Sequence, residues 1–172
     1  MKKILIYIGY VFSMSCLTGA VMADNSKVIY GYVEKVILVE KKVMLSAKLD
    51  TGAKTASLSA IKIKDLHENG LHYLTFIVPT KRGNFQFKAE YVGRVNIKPR
   101  MGEYIKELTS FRPLKRPIVK MKVRLGNKER EILFNLTNRK RFNYPVLLGR
   151  DAIVAFDGLI DPAYAFILSK KR

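Results

Sequence analysis

The chain has 172 residues, 48% of them hydrophobic, and its 32 lysines and arginines outweigh 14 acidic residues for a formal net charge of +18. That length supports one domain with a proper core, and the composition is that of a globular protein, against a disordered chain. The basic excess points to an anionic partner, and a single cysteine, Cys16, excludes a disulfide framework.

Met1-Lys2-Lys3 makes a short positive start, Ile4 to Leu17 is an apolar run, and Val21-Met22-Ala23 supplies small residues at its end. This is the pattern of a secretory signal peptide cleaved after Ala23. It predicts a leader over residues 1–23, one domain over 24–172, and a periplasmic or secreted product. Two alternatives concern the same stretch. Uncleaved, residues 4–23 are about long enough to anchor the chain in the inner membrane. Cys16 as a lipidated cysteine would need a leucine three residues upstream, where Ser13 stands. Cleavage removes Cys16 and with it any thiolate nucleophile.

Val28 to Val39 is β-branched and aromatic and reads as a strand. Val43, Leu45, Ala47 and Leu49 then alternate with Met44, Ser46, Lys48 and Asp50, so a half-buried strand delivers Asp50 to its end. Gly52 lets the chain turn. A carboxylate backed by a threonine hydroxyl and a glycine suits acid–base chemistry, although an aspartate before a turn also satisfies local backbone donors.

His67 and His72 fall in a strand-turn-strand pattern, five residues apart. Zinc hydrolysis of the common kind needs two histidines one helical turn apart, a glutamate between them and a third ligand, so no metal is predicted. No glycine-rich loop followed by Lys-Ser/Thr is present to cradle a triphosphate, and no cofactor is predicted.

Tyr73 to Val78 and Phe85 to Tyr91 flank a hairpin connection through Lys81, Arg82, Gly83 and Asn84. Lys98 to Pro117, with three prolines and a glycine, reads as irregular. Val119, Met121, Val123 and Leu125 alternate with cations, and Gly126-Asn127 turns this strand into Glu131 to Leu136. Pro145 to Asp151 is an apolar strand ending in Gly-Arg-Asp. One helical turn through Ile153 and Phe156 follows, then a closing strand Tyr164 to Leu168 after an Asp161-Pro162 turn. Short strands with turns between them predict an all-β, closed or partly closed antiparallel barrel with at most a short helix. Cations cluster at Arg139-Lys140-Arg141 and Lys170-Lys171-Arg172. For an exported chain the candidate partners are lipid headgroups, acidic envelope polymers or acidic peptides, ahead of nucleic acid.

Asp50-Thr51-Gly52-Ala53, followed a hundred residues later by Leu147-Leu148-Gly149-Arg150-Asp151, resembles the signature of retropepsin-type aspartic peptidases. In those enzymes the apolar-apolar-glycine strand passes beneath the catalytic turn and buttresses it. The chain is closer still to a bacterial subfamily labelled ATP-dependent zinc protease. That resemblance runs from Tyr30-Gly31-Tyr32-Val33-Glu34-Lys35-Val36 through LDTGAKTASLSA, Arg116 to Val119 and Phe134 to Arg139 to YPVLLGRDAIV, nearly everything after residue 28.

The resemblance implies a retropepsin-like aspartic endopeptidase with Asp50 as catalytic acid/base, supported by Thr51, Gly52, Ala53, Leu148, Gly149, Arg150 and Asp151. Two carboxylates must share one proton in that mechanism, and the chain has one Asp-Thr-Gly, so the dyad requires a homodimer. The hairpin Lys81, Arg82, Gly83, Asn84 is the candidate flap, and Lys98 to Pro117 a second segment able to cover the site. Viral relatives place an acid after Asp-Thr-Gly-Ala to pair with the arginine of Gly-Arg. Here Lys54 stands there, so Arg150 must find another partner. The subfamily is associated with ligases that add glutamates to proteins and with membrane-bound transglutaminase-like proteins, which suggests an acidic protein or peptide substrate. The alternative is a non-catalytic retropepsin-fold module that binds an anionic envelope component or a membrane protein.

Overall fold

The computed structural model describes residues 26–97 and 114–169. The leader over 1–23, the anchor and lipidation alternatives, and the Lys170 to Arg172 cluster lie outside those residues.

Alternation of apolar and polar residues sets the first hairpin. Strand β1, Val28–Leu38, passes through a 3₁₀ turn, Val39–Lys41, into β2, Val43–Leu49. Lys42 takes a left-handed conformation at φ 53° to make the reversal. The two strands pair antiparallel from Leu38↔Val43 to Val33↔Lys48, which buries Val36, Leu38, Leu45 and Leu49 on one face. A turn over residues 50–55 leads to β3, Ala56–Ser59, buried throughout. Next come β4, Ile61–Glu68; β5, Leu71–Thr80; β6, Gly83–Ile97; β7, Leu114–Leu125; β8, Lys128–Thr137; and β9, Val146–Leu148. Among the described residues the single α-helix is α1, Arg150–Ala155, which precedes β10, Gly158–Ala165.

The strands β1, β2, β9, β3, β8 and β7 follow one another in the sheet, and Val36↔Leu125 with Leu38↔Val123 joins β7 back to β1. This closes a six-stranded barrel. Its interior is packed with Leu58, Val119, Val123, Phe134, Leu136 and Leu148. Each such side chain stabilises the fold by about 1.5–3 kcal/mol relative to exposure. β6, β5 and β4 extend the sheet beyond β7, and β10 extends it beyond β1.

The barrel is mixed where an antiparallel one was expected. β2–β9, β3–β8 and β1–β10 are parallel. Turn residues between consecutive strands announce hairpins, whereas these partners are remote in sequence and meet without a turn between them. The C-terminal reading also changes. Asp161-Pro162 lies inside β10, and Ile167–Ser169 is a 3₁₀ turn, not the end of a strand. Proline is tolerated because β10 is an edge strand, and the register slips between Asp161 and Ala165. Leu114 to Pro117, read as irregular, belongs to β7, and the rest of that segment lies outside the described residues.

Candidate active site

Asp50 follows the last residue of β2 and is held there by the strand beneath it. β9 runs parallel to β2 with Leu49 opposite Leu148, and the Asp50 amide donates to the Leu148 carbonyl at 2.8 Å. The turn then closes on itself: Ala53 N donates to Asp50 O at 3.2 Å, and Gly52 N donates to Asp50 Oδ1 at 3.0 Å. From the other side, Arg150 N donates to Ala53 O at 2.8 Å and Asp151 N to Lys54 O at 3.1 Å. The two motifs, a hundred residues apart in sequence, interlock through these backbone bonds.

Gly149 is what permits the contact. A Cβ at this position would stand 2.6 Å from Thr55 O, 2.7 Å from Lys54 O and 2.8 Å from Ala53 O. Its backbone is ordinary extended chain, φ −83° and ψ −177°, so the requirement for glycine is one of space.

The side chain of Arg150 resolves the partner question left by Lys54. Its Nη1 donates to Thr51 O at 3.0 Å and to Gly52 O at 3.5 Å. A cation on two carbonyls braces the turn without the acid that viral relatives use. Asp151 occupies the first turn of α1, where a carboxylate is favoured by the helix N-terminus. Thr51, Gly52 and Ala53 share the turn with Asp50, while Leu148 is buried below it.

Asp50 is mostly covered, its side chain 18% exposed, and Lys48 Nζ stands 3.3 Å from its Oδ2. Residues two apart on a strand project to the same side, which is why Lys48 reaches it. Lys48 itself is 46% exposed, so the ion pair sits at the rim of the site, open to water.

Asn135 was not picked out as a site residue in the sequence. It is buried on β8, and its Nδ2 donates to Ala56 O at 2.6 Å and Thr55 Oγ1 at 3.3 Å. Its Oδ1 accepts from Arg116 Nη1 at 3.3 Å, tying the exit of the Asp50 turn to β7. An asparagine inside the apolar run Leu133 to Leu136 was the available signal. Glu34 is a second such residue. It is fully buried, and its Oε1 accepts from Gly31 N and Ile167 N, both at 2.9 Å.

The candidate flap is a two-residue hairpin turn, with Thr80 opposite Gly83. Thr80 Oγ1 accepts from Arg82 N and donates to Gly83 O. This turn stands at the Gly83 end of β6. The other end of β6, from Glu90 to Ile97, pairs with Leu114 to Lys120 of β7, and that ribbon carries Arg116 to Asn135 beside the Asp50 turn. The strand pairing connects the ribbon to the exit of the Asp50 turn.

The remaining acids near the second motif have local partners. Asp157 accepts from Lys128 Nζ at 3.0 Å and Arg130 Nη2 at 3.5 Å. The Lys128 hydrogen bond holds its carboxyl below the usual range. Asp161 Oδ1 accepts from Ala163 N. Of the cluster at 139–141, Arg139 is buried, donating through Nε to Tyr144 O, while Lys140 and Arg141 are exposed. His67 and His72 face each other across the β4–β5 hairpin with rings stacked at 4.2 Å, and His72 Nε2 lies 2.7 Å from Asp65 Oδ1.

A barrel in which an apolar-apolar-glycine strand buttresses an Asp-Thr-Gly turn defines a retropepsin-like protein, here with one Asp-Thr-Gly per chain. The model of the RimB-like family, retropepsin-like aspartic endopeptidase RimB, matches residues 29–171, and the chain belongs to that family. A solved protein of unknown function from Legionella pneumophila is 50% identical, with a TM-score of 0.71 over 83% of this chain and 99% of that one. Two curated relatives are each named probable alpha-L-glutamate ligase. That of Shewanella pealeana is 30% identical over 74% of this chain and 26% of its own length. That of Shewanella halifaxensis is 28% identical over 74% of this chain and 27% of its own length. The chain thus spans about a quarter of these longer relatives.

Proposed function

We propose that the protein is an aspartic endopeptidase whose catalytic pair is Asp50 from each of two copies. The observation that carries this is the interlocked turn. Asp50 is presented at a strand end, fixed through its own amide and through Gly52, with the Gly149 strand locked beneath it. In the mechanism one carboxylate draws a proton from water as it attacks the peptide carbonyl, and the protonated partner donates to the carbonyl oxygen. Thr51 hydrogen-bonds across the twofold axis and fixes the two carboxylates, and Gly52 offers its backbone to the substrate.

For a substrate we propose protein segments carrying added glutamates. The relatives in which this domain forms one part are named for glutamate ligation, and a chain of charge +18 attracts polyanions. Lys48, Lys54 and Arg150 surround the Asp50 turn with positive charge. Export through the N-terminal leader would place this activity in the periplasm.

The Lys48–Asp50 ion pair favours a second reading, a binding module in which the carboxylate serves only as a structural partner. Sedimentation of the cleaved chain, together with cleavage of a peptide library that includes glutamate-tailed members, separates the two. The peptidase gives a dimer and products that vanish in Asp50→Asn. A monomer that binds such peptides without cutting any of them, at any pH from 4 to 8, would establish the module.

A further inference from the structure

Both oxygens of Asp50 are engaged in the single chain. Oδ1 accepts from Gly52 N at 3.0 Å, and Oδ2 lies 3.3 Å from the Lys48 ammonium. The first contact is compatible with a shared-proton pair, since a backbone amide donates to a carboxyl oxygen in either protonation state. The second is not. An ammonium beside a carboxylate favours its ionised form, and the dyad works only with one of its two carboxyls protonated.

We propose that Lys48 gates the site, a reading that rests on the peptidase assignment above. Its ammonium holds the lone Asp50 as a carboxylate, and the pair becomes a catalytic dyad only when Lys48 is drawn away. The geometry allows that movement. Lys48 is nearly half exposed on the open side of β2, so its long side chain can leave for water or for an anion. Asp50 cannot follow, because its backbone is pinned to Leu148 and Ala53 and its Oδ1 accepts from Gly52 N.

Two other charged side chains on neighbouring elements, Arg150 and Glu34, bond to backbone groups. From α1, Arg150 donates to Thr51 O and Gly52 O, and Asp151 stands in the first turn of the helix. Lys54 of the turn is exposed. From β1, Glu34 accepts from Gly31 N and Ile167 N. Lys48 makes a direct ion pair with the Asp50 carboxylate. It acts as a positioning residue, through the protonation of another group, and not on the substrate's reacting atoms.

The test is the titration of the Asp50 side-chain carboxyl, followed by carbon NMR and identified by the signal that Asp50→Asn removes. Wild type, Lys48→Gln and Lys48→Arg are compared, and peptide cleavage is profiled against pH in parallel. Lys48→Gln is expected to raise the Asp50 midpoint by about one pH unit, a roughly tenfold gain in proton affinity, while Lys48→Arg leaves it in place. The alkaline limb of cleavage moves with the midpoint. An unmoved midpoint in Lys48→Gln overturns the gate, and with cleavage intact it leaves the peptidase standing. A midpoint that moves while no variant cuts any peptide keeps the Lys48–Asp50 coupling but removes the peptidase, and the gate with it.

Discussion

Replacing Gly149 by alanine tests whether the two motifs hold each other as described. The backbone there is extended, so alanine meets no conformational penalty, and the loss of freedom in the unfolded chain favours it by about 0.4–1 kcal/mol. Against this, the new methyl falls 2.6–2.8 Å from three carbonyl oxygens, none of them the movable end of a side chain. Relief requires the Ala53 and Lys54 carbonyls to retreat by about half an ångström, which strains the bonds they accept from Arg150 N and Asp151 N. Overpacking typically costs about 1–3 kcal/mol, and each weakened backbone bond about 0.5–1.5 kcal/mol more. The net expectation is a loss of about 2–4 kcal/mol, or roughly 5–15 °C in melting temperature for a domain of this size. Urea denaturation of the two proteins measures it directly. A Gly149→Ala protein within about 1 kcal/mol of wild type would mean that β9 does not clamp the Asp50 turn.

Two other perturbations divide stability from function. In Gly52→Ala the added methyl meets only Asp50 Oδ1, at 3.2 Å, so stability should stay within about 1 kcal/mol while peptide cleavage collapses; equal losses in both assays would contradict this. Asp157 is held below the usual carboxylate range chiefly by its hydrogen bond from Lys128, so its contribution to stability is present above the unfolded carboxylate range and disappears as pH falls through its folded value. Asp157→Asn should flatten that part of the acid denaturation curve, and a curve that keeps the wild-type slope would place the acid sensitivity elsewhere.

Much of the site was legible because its chemistry is written in consecutive residues. Asp50-Thr51-Gly52 and Leu148-Gly149-Arg150 each carry their own turn, and the alternation in Val43 to Leu49 orients the first of them. The partners that arrive from distant strands were harder to see. Asn135 meets Thr55 across a parallel pairing of β3 with β8, and nothing in local periodicity distinguishes a parallel neighbour from an antiparallel one. Arg150 was known to lack the acid its viral counterparts use, yet its actual partners are backbone carbonyls, which any sequence supplies. The hairpin turn at Lys81 to Asn84 was found correctly, while its place relative to Asp50 depends on β6 changing partners at Glu90, from β5 to β7.

A dyad built from two copies sets the chain's charge against its own assembly. Each cleaved copy, having lost Lys2 and Lys3 from the +18 of the full chain, brings a net +16, and two such chains repel over the Debye length, about 10 Å at 0.1 M salt. Apolar side chains offer the opposing term. Ile29 and Leu159 are paired neighbours on β1 and β10 and more than half exposed, as is Tyr164 further along the edge strand. Salt screens the repulsion and leaves apolar burial intact or slightly strengthened. Dimerisation and cleavage of an uncharged peptide should therefore both strengthen between about 50 and 500 mM sodium chloride, with specific activity rising with protein concentration. Cleavage of a glutamate-rich peptide has a second, opposite dependence, because the same salt weakens its attraction to the basic surface, and its optimum falls at intermediate salt. Sedimentation across the same series supplies the decisive comparison. Association that weakens steadily with salt would mean that ion pairs, not the apolar edge, join the two copies.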